Sequence, residues 1–521
     1  MSDIRKIIIG SRGSDLALWQ ANFVQTELQK FGFRSQIKII VTKGDRIQHL
    51  SFDKIEGKGF FTKEIEDALL RTEIDLAVHS LKDLPTTPPD GLDIAALSYR
   101  EDPRDLLIIR KDAFDPTEPL KVRAGKCLGT SSARRKVQVN QLQHNLALKD
   151  LRGNVPTRIQ KCRDGQYDAI ILAAAGVNRL KLDLSDFETW PMPVDMFVPA
   201  PAQGVLGLQI RRDDTFMREA LRHLHHADVA ETIAVERELL NMFEGGCHMP
   251  VGAYCHKFNG QFELYASKAK SDKELPVKIQ LQSSTTNGLA AQALALCNKT
   301  RSGSVFISRN ADQAASLIHQ LSAQGFRVEA QSLIQTEIVQ ATALPESDWL
   351  FFVSRNAVRH FFSQFRTFPS RKIAAVGAAT ASELYALGHQ PDFIGASADL
   401  KEVATTFSSL YGRQSVCFPI GNRSKRSIQQ GIENVCQVFE IQVYETLYKA
   451  VKLSCQADIN VFTSPSCFEA FLRHNQLSVN SLVVAMGATT AEAVRKHGHT
   501  NLVVPSGFRA DQIAMAIFSH T

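Results

Sequence analysis

The 521-residue chain carries 60 Lys and Arg against 54 Asp and Glu, a formal net charge of +6, and is 44% apolar. At roughly 100–200 residues per domain, that length suggests about three to five domains with buried cores. The composition excludes a disordered, collagen-like or strongly acidic chain, and the small charge, shared across a cut near residue 300, excludes a basic nucleic-acid arm.

The nine cysteines are scattered without a CxxC pair, which argues against a disulfide scaffold or a cysteine zinc site. Scattered buried cysteines are their default reading. No unbroken apolar stretch reaches membrane-spanning length, and the opening MSDIRKIIIG does not read as a secretory signal. A soluble cytoplasmic chain with no membrane or nucleic-acid partner is expected.

Short apolar runs alternate with helical patterns along the first half. Residues 6–9 read as a strand ahead of a helix starting near Leu16. Residues 36–41 read as a strand, 61–70 as a helix and 74–78 as a strand. Residues 106–109 and 169–172 read as further buried strands. This alternation predicts α/β architecture. The prolines at 85–89, 191–193 and 199–201 mark loops or crossings between lobes. A helical pattern over 217–240 runs into Glu244-Gly245-Gly246-Cys247, where the chain must leave the helix. Residues 263–282 alternate as a small sheet would, and 292–304 form a domain junction, with helical character persisting over 290–296.

The last part contains an internal repeat. Ser354 precedes Gly377 by 23 residues, Ser464 precedes Gly487 by 23, and the two copies are offset by 110. Each copy reads as strand, polar turn, helix, second strand and a Gly/Thr helix entry. Two similar α/β lobes facing one cleft account for the recurrence.

The densest candidate chemistry lies before residue 250. Arg12-Gly13-Ser14 follows a strand, so Ser14 can cap the next helix and its amides can receive an anion. His79-Ser80-Leu81-Lys82-Asp83 ends another strand. A surface ion pair is its plain reading. In a cleft, Asp83 can instead stabilise a cationic intermediate while Lys82 binds a carboxylate. Thr130, Ser131 and Ser132 lead into Arg134 and Arg135, and a Gly/Asn/Pro bend joins Arg152 to Arg158. Four arginines beside strand–loop junctions point to a polyanionic ligand, with phosphate, nucleic acid and polycarboxylate all compatible. The sequence has no P-loop. Cys247 follows two glycines. By itself it reads as a buried cysteine, with an exposed nucleophilic thiol as the alternative.

Ser11-Arg12-Gly13-Ser14, Gly57-Lys58-Gly59-Phe60-Phe61, Val78-His79-Ser80-Leu81-Lys82-Asp83, Glu101-Asp102-Pro103-Arg104-Asp105, Gly129-Thr130-Ser131-Ser132, Leu151-Arg152-Gly153-Asn154 and Glu244-Gly245-Gly246-Cys247 occur in one order over about residues 4–300. In this the chain closely resembles porphobilinogen deaminases. Gly13 and Asp15 depart from residues common in that family and put local loop geometry in question.

The resemblance implies two periplasmic-binding-protein-like α/β lobes, residues 1–102 with a return through 199–220 and residues 103–198. A small α+β domain over 221–300 follows. It implies a dipyrromethane cofactor attached covalently through Cys247, with Lys82, Asp83, Ser132, Arg134, Arg135 and Arg152 as its binding residues. Arg12, Ser14, Thr130, Arg152 and Arg158 would bind substrate, Asp83 would be catalytic, and Lys58 would sit in a loop that covers the cleft. No metal is implied.

Residues 303–521 resemble uroporphyrinogen-III synthases through Phe418-Pro419-Ile420-Gly421-Asn422, Val443-Tyr444-Glu445-Thr446, the Ser464 turn and the Gly/Thr segments. This implies a two-lobed α/β domain in which Tyr444 assists departure of a hydroxyl. Ser464 and Thr490 would orient carboxylates, although each also reads as a helix cap or turn residue. Arg355 and Arg423 are further carboxylate candidates. The whole chain would join four porphobilinogens into hydroxymethylbilane with ammonia release, then close it to uroporphyrinogen III with inversion of the last ring, without an obligate protein partner. The alternative is a deaminase whose C-terminal part is a non-catalytic binding or regulatory module.

Overall fold

The computed structural model describes residues 5–42, 62–243, 249–341, 343–397, 399–453 and 456–521. Lys58 and Cys247 lie outside the described residues. The chain forms two units, one of Met1–Val305, Ala314–Val328 and Val503–Thr521, the other of Phe306–Gln313 and Glu329–Leu502. A single junction near residue 300 does not separate them, because two later segments return to the first unit.

Among the described residues, the first unit holds three sheets. One runs in the order Ser35–Ile39, Ile7–Ser11, Leu76–Ser80, Leu206–Arg211 and Leu92–Leu97. Its first three strands are parallel, and Leu206–Arg211 is antiparallel to both neighbours. Ile7, Ile9, Leu76, Val78, Leu206 and Leu208 pack there with Val24 and Leu28 of the helix Asp15–Lys30. The second sheet has the order Ala147–Lys149, Cys127–Gly129, Ala169–Ala173, Asp105–Arg110 and Phe187–Pro191. Leu106 to Ile109 are all buried, which is why that strand reads as a continuous apolar run: both of its faces are covered. The third sheet is an antiparallel meander of Val251–Phe258, Gln261–Lys268 and Val277–Ser283.

The helical pattern over 217–240 is broken in the structure. A helix spans Thr215–Leu221, a single 3-10 turn follows, and a new helix spans Ala227–Met242. The break comes where His225 and His226 turn extended. There the Leu97 amide donates to His225 Nδ1 and the His226 amide donates to the Leu97 carbonyl. Bonding to the sheet edge takes the place of the intrahelical bonds.

The second unit contains the repeat. Trp349–Phe352 and Lys372–Ala375 pair in parallel, as do Ile459–Phe462 and Leu482–Ala485. The helices Arg355–Gln364 and Pro465–His474 follow the first strand of each pair, and Ala378–Ala386 and Ala488–Lys496 follow the second. Each copy lies in its own sheet. The equal spacing in sequence is therefore a repeated strand–helix–strand–helix unit with matching element lengths.

Among the described residues, no helix is long and apolar enough to cross a membrane, and no group of three or more His, Cys, Asp or Glu side chains could hold a metal ion. The described cysteines are all free thiols, and all but Cys127 are buried.

Candidate functional site

The candidate residues of the first unit leave the carboxyl ends of parallel strands. Arg12 follows Ile7–Ser11, Lys82 and Asp83 follow Leu76–Ser80, Thr130 and Ser132 follow Cys127–Gly129, and Arg152 follows Ala147–Lys149. Strand ends of this kind are the usual ligand-binding edge of open α/β sheets, because loops and helix N-termini converge there.

The centre of the arrangement is Asp105, fully buried at the head of its strand. Arg134 Nη1 donates to its Oδ2 at 2.7 Å. Arg135 donates to its Oδ1 through Nη2 at 2.7 Å and Nε at 3.1 Å. Burial alone would raise the Asp105 pKa, but the two guanidinium groups outweigh it and hold the carboxylate well below its usual range. Arg134 Nη1 also donates to the Val198 carbonyl, and Arg135 Nη1 to that of Ile171. Arg134 Nε and Nη2 carry no hydrogen bond among the described residues.

Gln203 extends this cluster into the first sheet. Its Nε2 donates to Asp105 Oδ1 at 3.2 Å, and its Oε1 accepts from Lys82 Nζ at 3.1 Å. Burial lowers the Lys82 ammonium to about 8, with Asp83 partly opposing. Asp83 itself is exposed and makes no hydrogen bond among the described residues. Arg158 is lowered to about 10, first by burial and then by Arg135, while Asp83 acts in the other direction. Its Nε donates to the Gly153 carbonyl at 2.7 Å. Gly153 has φ 116°, a left-handed conformation suited to glycine, and makes the bend that carries Arg152 toward the helix Val155–Arg163. His79, buried beside Arg12, is kept neutral down to about 4, mainly by burial.

The expectation that Ser14 caps its helix is refined. Ser14 and Ser132 occupy N-cap positions with extended backbone, but neither side chain makes a capping bond. The Ser132 amide instead donates to Thr130 Oγ1 at 3.3 Å. Sequence reasoning assigned no role to Asp105 or Gln203. A lone carboxylate ahead of the four apolar residues 106–109 was the available signal for the first. Nothing local signals Gln203.

In the second unit Tyr444 lies on the strand Gln437–Tyr448, opposite Gly421. A Cβ at Gly421 would come within 2.5 Å of the Tyr444 ring, so glycine lets the ring lie against the strand. Tyr444 Oη is 3.4 Å from Ser354 Oγ, at the N-cap of the repeat's first helix. His360 on that helix stacks on the Tyr444 ring at 5.2 Å and hydrogen-bonds Thr336 Oγ1 at 2.8 Å. His360 is the neighbour that sequence reasoning missed.

Ser464 caps the corresponding helix of the second copy, accepting from the Cys467 amide. Thr490 is buried and donates to the Met486 carbonyl. Arg423 pairs with Glu469 at 3.1 Å and with the Tyr448 hydroxyl. Arg355 is exposed. The structure thus brings Tyr444, Ser354 and His360 together, and occupies Ser464 and Thr490 in local helix bonding.

A family model described as the dipyromethane cofactor binding domain of porphobilinogen deaminase matches residues 7–219. A model of the C-terminal domain of the same enzyme matches 230–292, and one of uroporphyrinogen-III synthase HemD matches 285–514. A porphobilinogen deaminase of Trichlorobacter lovleyi is 42% identical over 287 residues, covering 55% of this chain and 90% of the relative. One of Sulfurimonas denitrificans is 44% identical, covering 48% of this chain and 79% of the relative. The crystal structure of a uroporphyrinogen-III synthetase of Helicobacter pylori aligns with 42% of this chain and 99% of its own, at 17% identity and a TM-score of 0.34. The chain belongs to the porphobilinogen deaminase family and continues into a uroporphyrinogen-III synthase domain, joining a transferase and a lyase of tetrapyrrole biosynthesis in one polypeptide.

Proposed function

We propose that the first part joins four porphobilinogens into hydroxymethylbilane with release of ammonia, and that the second closes this product to uroporphyrinogen III with inversion of the last ring. The observation that supports the reading is the cluster in which Arg134, Arg135 and Gln203 converge on Asp105 and Gln203 meets Lys82, with the exposed carboxylate Asp83 acting on both Lys82 and Arg158.

The donor set fits a dipyrromethane. Its acetate and propionate groups need several cations, which Arg12, Lys82, Arg134, Arg135, Arg152 and Arg158 supply, with Ser14, Thr130 and Ser132 adding hydroxyls. Guanidinium groups suit carboxylates because they bind them in bidentate fashion. Bound dipyrromethane would supply the pyrrole end to which new units are added.

Lys82, Ser132, Arg134, Arg135 and Arg152 would hold the cofactor, and Arg12, Ser14, Thr130 and Arg158 the incoming porphobilinogen. Asp105 supplies the counter-charge of the two central guanidinium groups and aims them, because a buried cation without its counter-charge is costly. Asp83 would accept pyrrole N–H groups and stabilise the positive charge that develops as ammonia leaves porphobilinogen. Exposed and without a hydrogen bond among the described residues, the carboxylate is available for that role. Lys58 would sit in the loop that covers the site, and the two α/β lobes of the first unit would resemble periplasmic binding proteins. In the second unit Tyr444 would assist hydroxyl departure, with Ser354 and His360 fixing its ring and Oη.

The tether would be a thioether at Cys247. Intact mass spectrometry tests it: the wild-type chain should carry a dipyrromethane adduct and Cys247→Ser should not. The same adduct on the serine variant would overturn the assignment.

A further inference from the structure

The C-terminal helix Ala510–His520 lies beyond most of the synthase repeat, and the synthase family model runs into it, to residue 514. In the structure it belongs to the first unit. It lies against the strand Val277–Ser283, where the Gln280 amide donates to Ser519 Oγ at 2.9 Å. Arg301 donates to the Phe518 carbonyl at 3.0 Å, and its guanidinium lies over the Phe518 ring. Met515 is buried with Val198 and Tyr265.

The start of the helix grips the segment that leads from the second sheet back to the first. Gln512 Nε2 donates to Asp195 Oδ2 at 2.6 Å, and Arg509 Nη2 reaches the same oxygen at 3.5 Å. One residue further on, the Met196 carbonyl accepts from the fully buried Lys278 Nζ. Two residues beyond that, the Val198 carbonyl accepts from Arg134 Nη1 at 2.8 Å and from Gln138 Nε2 at 3.0 Å. The Val198 amide donates back to Gln138 Oε1 at 2.8 Å. Contacts at Asp195 and at Val198, joined by the backbone between them, therefore connect Gln512 to Arg134.

We propose that the C-terminal helix is a positioning element of the deaminase: by holding Asp195 and Val198, it fixes the carbonyl that aims Arg134 at the carboxylates of the bound pyrroles. The inference rests on the reading of Arg134 as a cofactor-binding residue. It makes completion of the deaminase site depend on the last residues of the synthase sequence. Asp195, Gln512 and Met515 are positioning residues, since they act through Arg134.

The test is a double-mutant cycle in the full chain, read as kcat and KM for porphobilinogen consumption, with melting temperature as the control for folding. Asp195→Ala removes the acceptor for Gln512 and should lower kcat/KM about fivefold, as expected for one lost charge-assisted bond in the chain of contacts. Asp195→Asn keeps an acceptor and should restore most of the rate. Arg134→Lys should be impaired alone, and adding Asp195→Ala to it should cost no further rate. Normal kcat/KM in Asp195→Ala, failure of Asp195→Asn to restore it, or losses that multiply in the double variant would each overturn the positioning role. Normal turnover in Arg134→Lys alone would instead overturn the reading of Arg134 on which the proposal stands.

Discussion

Replacing Asp105 by Asn probes the charge arrangement beneath the deaminase site. Three guanidinium N–H groups and one amide converge on its carboxylate, at 2.7, 3.1, 2.7 and 3.2 Å. Asparagine keeps the shape and one acceptor, but removes the charge and turns a donor toward an arginine. Arg134 and Arg135, both buried, are then left without a counter-charge. Breaking a buried ion pair from one side costs about 3–5 kcal/mol, and that loss is expected in urea unfolding of the first unit at neutral pH. The loss has a pH signature. Burial pushes the Asp105 pKa up, the two arginines push it down by more, and the net folded-state value is depressed. Its stabilisation is therefore complete above the unfolded carboxylate range. It fades as pH falls toward the folded-state value, by up to about 1.4 kcal/mol per pH unit. The asparagine variant has no such dependence at this position, so the stability gap between the two proteins should narrow below about pH 4. Trp19 and Trp190 lie in the first unit and give a fluorescence signal for the assay. A loss below about 1 kcal/mol at neutral pH, or a gap that stays constant into acid, would refute the coupling of Asp105 to the two arginines.

Asp83→Asn should melt like the wild type, because the side chain is exposed and has no bond among the described residues. Its rate of hydroxymethylbilane formation should fall about 100- to 1,000-fold, the usual effect of removing a group that stabilises transition-state charge. Near-normal turnover would remove Asp83 from the mechanism. Tyr444→Phe loses the hydroxyl near Ser354 and should slow ring closure about tenfold or more while hydroxymethylbilane production continues. The fraction of uroporphyrinogen I should rise accordingly. Unchanged synthase kinetics would exclude the Tyr444 hydroxyl from the reaction.

Features of the site carried by short motifs were legible in the sequence. Lys82, Thr130, Ser132 and Arg152 follow strands that read as apolar runs or lie next to turn residues. The repeat was legible because equal spacing in a chain of parallel strand–helix units reproduces equal element lengths. The supporting network was not. Gln203 meets Lys82 across 121 residues and Asp105 across 98, and no local pattern encodes such a pairing. The same holds for Gln512 and Asp195, 317 residues apart. The break near His225 was hidden because apolar spacing continues through it, while the bonds that cause it go to Leu97. Serine at a helix start signalled the N-cap position correctly at Ser14, but the position does not require the side-chain bond.

The central claim is that one chain carries both steps, and porphobilinogen is the direct probe. The purified full-length protein, loaded with its cofactor, should convert porphobilinogen to uroporphyrinogen III without any added synthase. Uroporphyrinogen I as the sole product, from spontaneous closure of released hydroxymethylbilane, would contradict it.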